Sequence, residues 1–323
     1  MSEIEVFHDP VSLTPLVREE SYFSNRTSPS HRYPVVEGIP RFISPDHYSA
    51  AFGLQWKSFP QVQVDSKNGH KITRQRLLRC LGEPIEALKG KWVLEAGCGS
   101  GRFSEVMLEG GARLCAVDAS VAVEPHRQNL GSKYQYYLAQ ADIYALPFRD
   151  EYFDYVVCLG VLQHLPDPEA GIRSLFRKLK PGGKLIIDHY TSSWKFYLKL
   201  HWVYRLFLRR LKPETSKRIV DWLVGVFYPL HWKLRNSKLG TMILNRVSPC
   251  LTYFQHYPEL SPEQQRQFCH LDTYDSLTDF YKHLRSTKQI RKTLESLGAV
   301  EIEVWKGGNG VEARCRKKLN SGH

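Results

Sequence analysis

The chain predicts an α/β fold on a parallel sheet, and three features carry that expectation. Short apolar runs of strand character alternate with helical patterns over residues 91–190, as in parallel strands joined by helical crossovers. The first run, Trp92-Val93-Leu94, continues through Glu95-Ala96 and turns through Gly97, Gly99 and Gly101 into a helix from Arg102. Glycine admits turn conformations closed to a residue with a Cβ, and the first amides of the helix face the same spot. Near the C-terminus, residues 300–305 and 311–316 alternate with period two around Gly307-Gly308-Asn309-Gly310, the pattern of a hairpin.

Taken in order, residues 1–48 read as an irregular N-terminal arm, with a loop at 24–30. Residues 49–90 read as a helical cap, with one segment from Ala51 to Trp56 and a second from Ile72 to Leu81. The core spans 91–190. Its second strand ends at Asp118, its third runs from Tyr136 to Ala141 ahead of Asp142-Ile143, and its fourth covers 153–159. Residues 191–270 form a mainly helical insertion, and 271–323 return to the core. There Ser286 and Gln289 have capping-box spacing, opening a helix that stops at Gly298.

An acid at the tip of the second strand suits a ribose diol, since hydrogen bonds to a charged group contribute roughly 1.5–3 kcal/mol each. Arg102 stands where a dinucleotide-binding turn requires its third glycine, so pyrophosphate spacing is absent. The Glu-x-Gly-x-Gly-x-Gly run from Glu95 to Gly101 instead resembles motif I of class I S-adenosylmethionine (SAM) methyltransferases. Four further stretches resemble that family in the family's order: Asp142-Ile143, Phe153-Asp154-Tyr155-Val156, the loop 161–168 with His164, and Leu179-Lys180-Pro181-Gly182-Gly183. The resemblance covers about a third of the chain. It implies a doubly wound, seven-stranded, Rossmann-like sheet and SAM as cofactor. It also implies cofactor contacts from Glu95, Gly97, Gly99, Gly101, Asp118, Ala119, Asp142, Ile143 and Leu159. Asp154 is expected to support neighbouring backbone. Residues 33–42 resemble the tail of a zinc-ribbon arm found before some bacterial methyltransferases. The arm's cysteines are missing, so no metal is expected and a hairpin packed on the core is the better reading.

Methyl transfer chiefly requires alignment of acceptor and methyl in a dry pocket, with a base only where the acceptor carries a tightly held proton. His164, on the loop after strand four, is the candidate base. Tyr274 and His283, in a stretch resembling insertion-bearing bacterial methyltransferases, and Trp56 in the cap are candidate substrate contacts. The loop after strand four reads Leu159-Gly160-Val161-Leu162, without the Asn/Asp-Pro-Pro-aromatic tetrapeptide of base amino-methylating enzymes.

The net charge of +12 is concentrated in residues 191–250, where twelve Lys and Arg face only Glu214 and Asp221. Residues 194–210 have helical spacing. Lys195, Lys199, Arg205, Arg209 and Arg210 share one arc, and Phe196, Tyr197, Leu200, Val203, Tyr204, Phe207 and Leu208 share the other. Such a helix suits a lid over the pocket or an anionic membrane interface. A small-molecule or lipid/sugar-linked acceptor, methylated at oxygen, fits this pattern better than nucleic acid. RNA or protein docking on the basic insertion and a non-catalytic SAM-binding partner subunit are the alternatives. No run of 18 apolar residues, no signal-peptide pattern and seven scattered cysteines predict a cytoplasmic protein, with peripheral contact at the inner face of the membrane as a further expectation from the basic insertion.

Overall fold

Seven strands form one sheet in the order β10-β11-β9-β8-β5-β6-β7 in the computed structural model, which describes residues 6–43, 53, 56, 58–191 and 199–320. Strands β5 (Trp92–Ala96), β6 (Arg113–Asp118), β7 (Tyr137–Gln140), β8 (Phe153–Cys158) and β9 (Leu179–His189) pair in parallel. Strands β10 (Ala299–Gly307) and β11 (Gly310–Lys317) form the hairpin, and β11 joins β9 antiparallel. This is the doubly wound, seven-stranded Rossmann-like sheet. Pro181-Gly182-Gly183 lies inside β9 as an irregularity in its pairing with β8 rather than before the strand.

Alternate strand residues enter two separate apolar cores. Leu94, Cys115, Val117 and Val156 pack on one face, and Val93, Leu114, Ala116 and Val157 on the other. A strand buried on both sides reads as continuous hydrophobicity, which is why these segments lack polar alternation. Helices α3 (Arg102–Glu109), α4 (Val123–Leu130), α5 (Pro168–Lys178) and α10 (Thr287–Ser296) cross between strands. Ser286 and Gln289 form the capping box that opens α10. Asp154 accepts the Trp92 amide at 2.8 Å, a backbone-supporting contact.

The N-terminal arm is not irregular. Strands β1 (Leu16–Arg18), β2 (Tyr22–Asn25), β3 (Ser28–Val36) and β4 (Ile39–Pro40) build a small antiparallel sheet, so the stretch at 24–30 is the end of β2, a tight turn and the start of β3. Glu37 and Gly38, both at positive φ, turn β3 into β4, the requirement of a two-residue hairpin. Beyond that hairpin the Phe42 amide donates to the Gln140 carbonyl at 2.8 Å, so the arm covers the free edge of β7. Polar composition concealed this sheet because its apolar contribution is only a few residues, Phe7, Leu16, Phe23 and Phe42, docked on the main core.

In the cap, α1 (Asp65–Asn68) and α2 (Ile72–Leu81) are described. The insertion holds α6 (His201–Leu208), α7 (Pro213–Leu234), α8 (Lys238–Val247) and α9 (Pro262–Thr278). Helix α9 runs straight through residues 270 and 271, so the expected boundary there falls inside one helix. Trp194, Lys195, Phe196 and Tyr197 lie outside the described residues. Within α6 the expected division of faces is overturned. Arg205, assigned to the solvent-facing cationic arc, is buried with His201 and Leu208, whereas Val203 and Phe207 are exposed. A buried carboxylate, Asp279, draws the guanidinium inward.

Candidate active site

At the C-terminal ends of β5 to β8 a cavity is lined by the glycine turn, the tips of β6 and β7, the loop after β8, and residues from cap and insertion. Ligands of open α/β sheets bind in this position. Gly97 has φ +81°, and a Cβ on it would run into the Val161 side chain. The amides of Gly97 and Cys98 both donate to the Val117 carbonyl, at 2.7 and 2.9 Å, which folds the turn over the end of β6. Asp118 fixes the same turn. Its Oδ2 accepts the Gly99 amide at 2.9 Å, and its Oδ1 accepts the amide and hydroxyl of Ser120. A carboxylate has about four acceptor sites, so Asp118 retains capacity toward the cavity it lines. Asp142 caps a single turn at 143–145 by accepting the Tyr144 amide, and lines the cavity with Ala119, Ile143 and Leu159.

The cavity is lined further by Trp56, His164 and Asp275. A Cβ on Gly99 would lie 3.1 Å from Cζ2 of Trp56, so the indole sits directly on the glycine turn. His164 Nδ1 is 3.1 Å from Asp279 Oδ2, and Nε2 is 3.8 Å from Asp275 Oδ2. Burial alone would lower the His164 pKa, but Asp275 and then Asp279 outweigh it and hold the value above that of an ordinary histidine. Asp279 also pairs with Arg205 from α6 and with Lys282 Nζ at 3.4 Å. One buried carboxylate thereby ties the loop after β8 to the insertion. Its cationic neighbours hold it ionised despite burial, with its pKa below the usual carboxylate value.

Residues 94–187 match the family described as Methyltransferase domain. A ubiquinone biosynthesis O-methyltransferase of Pseudomonas fluorescens strain SBW25 is 39% identical over 115 residues, 34% of this chain and 49% of that protein. One from Coxiella burnetii strain Dugway 5J108-111 is 37% identical over 117 residues, 34% of this chain and 48% of its own length. The matched stretch spans about half of these curated relatives. A solved magnesium protoporphyrin IX methyltransferase from Synechocystis PCC 6803 is similar at a TM-score of 0.46 and 16% identity, covering 84% of this chain and 97% of its own. The chain carries a class I SAM-dependent methyltransferase domain.

SAM is its cofactor, and the cavity of the methyltransferase domain fits that group. The turn leaves no room for a side chain at Gly97, and carboxylates stand at the tips of two neighbouring strands. Glu95, expected among the contacts, is placed behind the turn instead. It is buried, it accepts from the Ser104 hydroxyl, and it does not line the cavity. Burial raises its pKa to about 8. Gly101 likewise stands back from the cavity, with His126 beside it.

Two acceptor-side expectations fail on position. Tyr274 points into the insertion's own core with Leu208 and Val220, its hydroxyl reaching the Pro213 carbonyl at 3.5 Å. His283 stacks on Tyr281 and lines neither this cavity nor the one beside it. The helical period explains the first miss: on α9, Asp275 lines this cavity and Asp272, on the same face, lines a second one beside it, whereas Tyr274 turns away. Asp279, Arg205 and Lys282 carry no local motif, and their importance appears only when distant segments meet.

Proposed function

We propose that this methyltransferase domain transfers a methyl group to a hydroxyl oxygen on a small-molecule or lipid-attached acceptor, with His164 as general base. The observation that carries the reading is the placement of His164 on the cofactor cavity with its ring held by Asp279. SAM supplies a methyl carbon already activated on a sulfonium. With that methyl supplied to the acceptor oxygen, Nε2 of His164 would take the hydroxyl proton. Asp275 and Asp279 stabilise the imidazolium so formed. Asp118 would hold the ribose, Asp142 and Ile143 the adenine, and Trp56 would close over the glycine turn. Oxygen as the accepting atom is supported by the names of the curated relatives.

A lipid-attached acceptor at an anionic membrane, met from the cytoplasmic side, is supported by the insertion surface. Phe207 and Trp222 are each 65% exposed and Leu239 62%. Exposed Arg210, Lys212 and Arg218 stand among them. Apolar side chains with a cationic surround suit the headgroup boundary. Among the described residues no helix is long and apolar enough to cross a membrane. The test is incubation with radiolabelled SAM and fractionated cell extract. Label in a lipid or small-molecule fraction as a methyl ether or ester supports the reading, and label confined to RNA or protein overturns it.

A further inference from the structure

A second cavity, of about 290 Å³, opens beside the cofactor cavity and shares Trp56, Arg102, Gly160 and Asp275 with it. Three arginines reach it, and they differ in how their charge is met. Arg76 pairs with Asp188, which also accepts the Gly160 amide at 2.6 Å. Arg79 grips Glu312 through two bonds, at 3.0 and 2.7 Å. Arg102 instead donates to the neutral Gln63 side chain and lies over the Phe103 ring at 4.5 Å. Among the described residues it has no carboxylate within ion-pair distance. The nearby acid Asp272 is engaged by the Tyr253 hydroxyl and by Gln63 Nε2 at 3.4 Å. Burial, and then the neighbouring Arg76, pull the Arg102 pKa down to about 10.

A half-buried guanidinium that lines a cavity with no carboxylate in ion-pair distance is open to an anionic partner, and planar arginine forks are the side chains best matched to carboxylate and phosphate. The two forks also converge. A Cβ on Gly160 would lie 3.6 Å from Arg102 Nη2 and 3.9 Å from Arg76 Nη2. Gly160 lies on the loop just after β8 and lines both cavities, so an anion at this point would lie beside the cofactor site. Tyr190, Tyr253, Tyr257 and Phe268 form an aromatic wall across the same space.

We propose that this second cavity holds the methyl acceptor, and that the acceptor carries a carboxylate or phosphate that pairs with Arg102 with Arg76 in support. The inference rests on the acceptor reading of the cofactor cavity given above. The aromatic wall takes the acceptor's ring or chain, and its hydroxyl faces His164. Arg102 acts as the specificity-determining contact, favouring anionic acceptors over neutral ones.

Binding to the full chain loaded with S-adenosylhomocysteine tests this without turnover. The probes are 3,4-dihydroxybenzoate, its neutral methyl ester, and phenyl phosphate, each measured by calorimetry. At least one anionic probe should bind tenfold or more tightly than the ester, and whichever binds better identifies carboxylate or phosphate as the preferred anion. Arg102→Gln should erase that preference while S-adenosylhomocysteine affinity stays within twofold, and Arg102→Lys should retain part of it. Equal binding of ester and anions, or no binding of any probe at millimolar concentration, overturns the proposal. A tenfold loss of S-adenosylhomocysteine affinity in Arg102→Gln, with probe preference intact, assigns the guanidinium to the cofactor's own carboxylate and also overturns it. Native circular dichroism of both variants shows that folding is not the cause. Failure of methyl transfer in extract would defeat the catalytic reading while leaving anion preference measurable, so the two failures are separable.

Discussion

The sheet domain hides its apolar side chains and the insertion displays them. In β5 to β8, Val93, Leu94, Val117 and Val156 are wholly buried. In the insertion, α6 buries His201 and Arg205 while exposing Val203, Leu206 and Phe207, and α8 buries Leu244 while exposing Leu239, Met242 and Ile243. The first arrangement is complete in water. The second sets charge inward against the loop that carries His164 and leaves part of its apolar surface outward, which is favourable when something other than water meets it. An ion cluster of Arg205, Asp279, Lys282 and His164 ties the insertion to the loop after β8, beside an apolar contact of Leu260, Phe268 and Leu271 with Val62 of the cap.

The strongest way to break this contrast is to remove Asp279. Asp279→Ala leaves Arg205 and Lys282 without their shared carboxylate, and breaking a buried pair costs about 3–5 kcal/mol. Urea unfolding should show a loss of that order. A loss under about 1 kcal/mol would mean that apolar packing, not the ion cluster, anchors the insertion.

His164→Ala should lower turnover by roughly 10²-fold or more and leave SAM affinity nearly intact. The pH profile adds a sign. Folding raises the His164 pKa, and a base works only when neutral, so activity should climb with pH through a midpoint above that of a free histidine. Asp279→Asn, which removes one source of the upward shift, should move that midpoint down. A profile flat from pH 6 to 9 would leave His164 a loop-positioning group.

Asp118→Ala tests the sheet half. It removes the carboxylate that pins Gly99 and Ser120, and SAM binding should weaken tenfold or more, about 1.4 kcal/mol, with native circular dichroism. Unchanged binding within twofold would remove Asp118 from the cofactor site.

The smallest effects belong to the displayed surface. The protein should co-sediment with anionic vesicles and not with neutral ones, and Gln at Arg209, Arg210, Lys212 or Arg218 should each cost about 1 kcal/mol at low salt. Trp222→Ser should weaken binding in a way that salt does not change. Arg205 belongs outside this set, since it faces Asp279 rather than solvent. Absence of vesicle binding would make the displayed surface a protein contact.

What the chain's sequence determined by itself is local. The Gly97 to Gly101 turn, the acid tips at Asp118 and Asp142, the Ser286–Gln289 capping box and the doubly buried strands each depend on residues within one turn or one strand, so spacing alone expresses them. The acceptor side was only partly legible: His164 and Trp56 reach the cavity, whereas Tyr274 and His283 do not. Tertiary structure decided the rest through long-range charge. Arg205 and Asp279 are 74 positions apart, and Arg102 and its neighbour Gln63 are 39. A helical wheel sorts residues by polarity and assigns arginine to water. It has no term for a carboxylate arriving from another helix, and that attraction inside a desolvated junction is what turned α6 over.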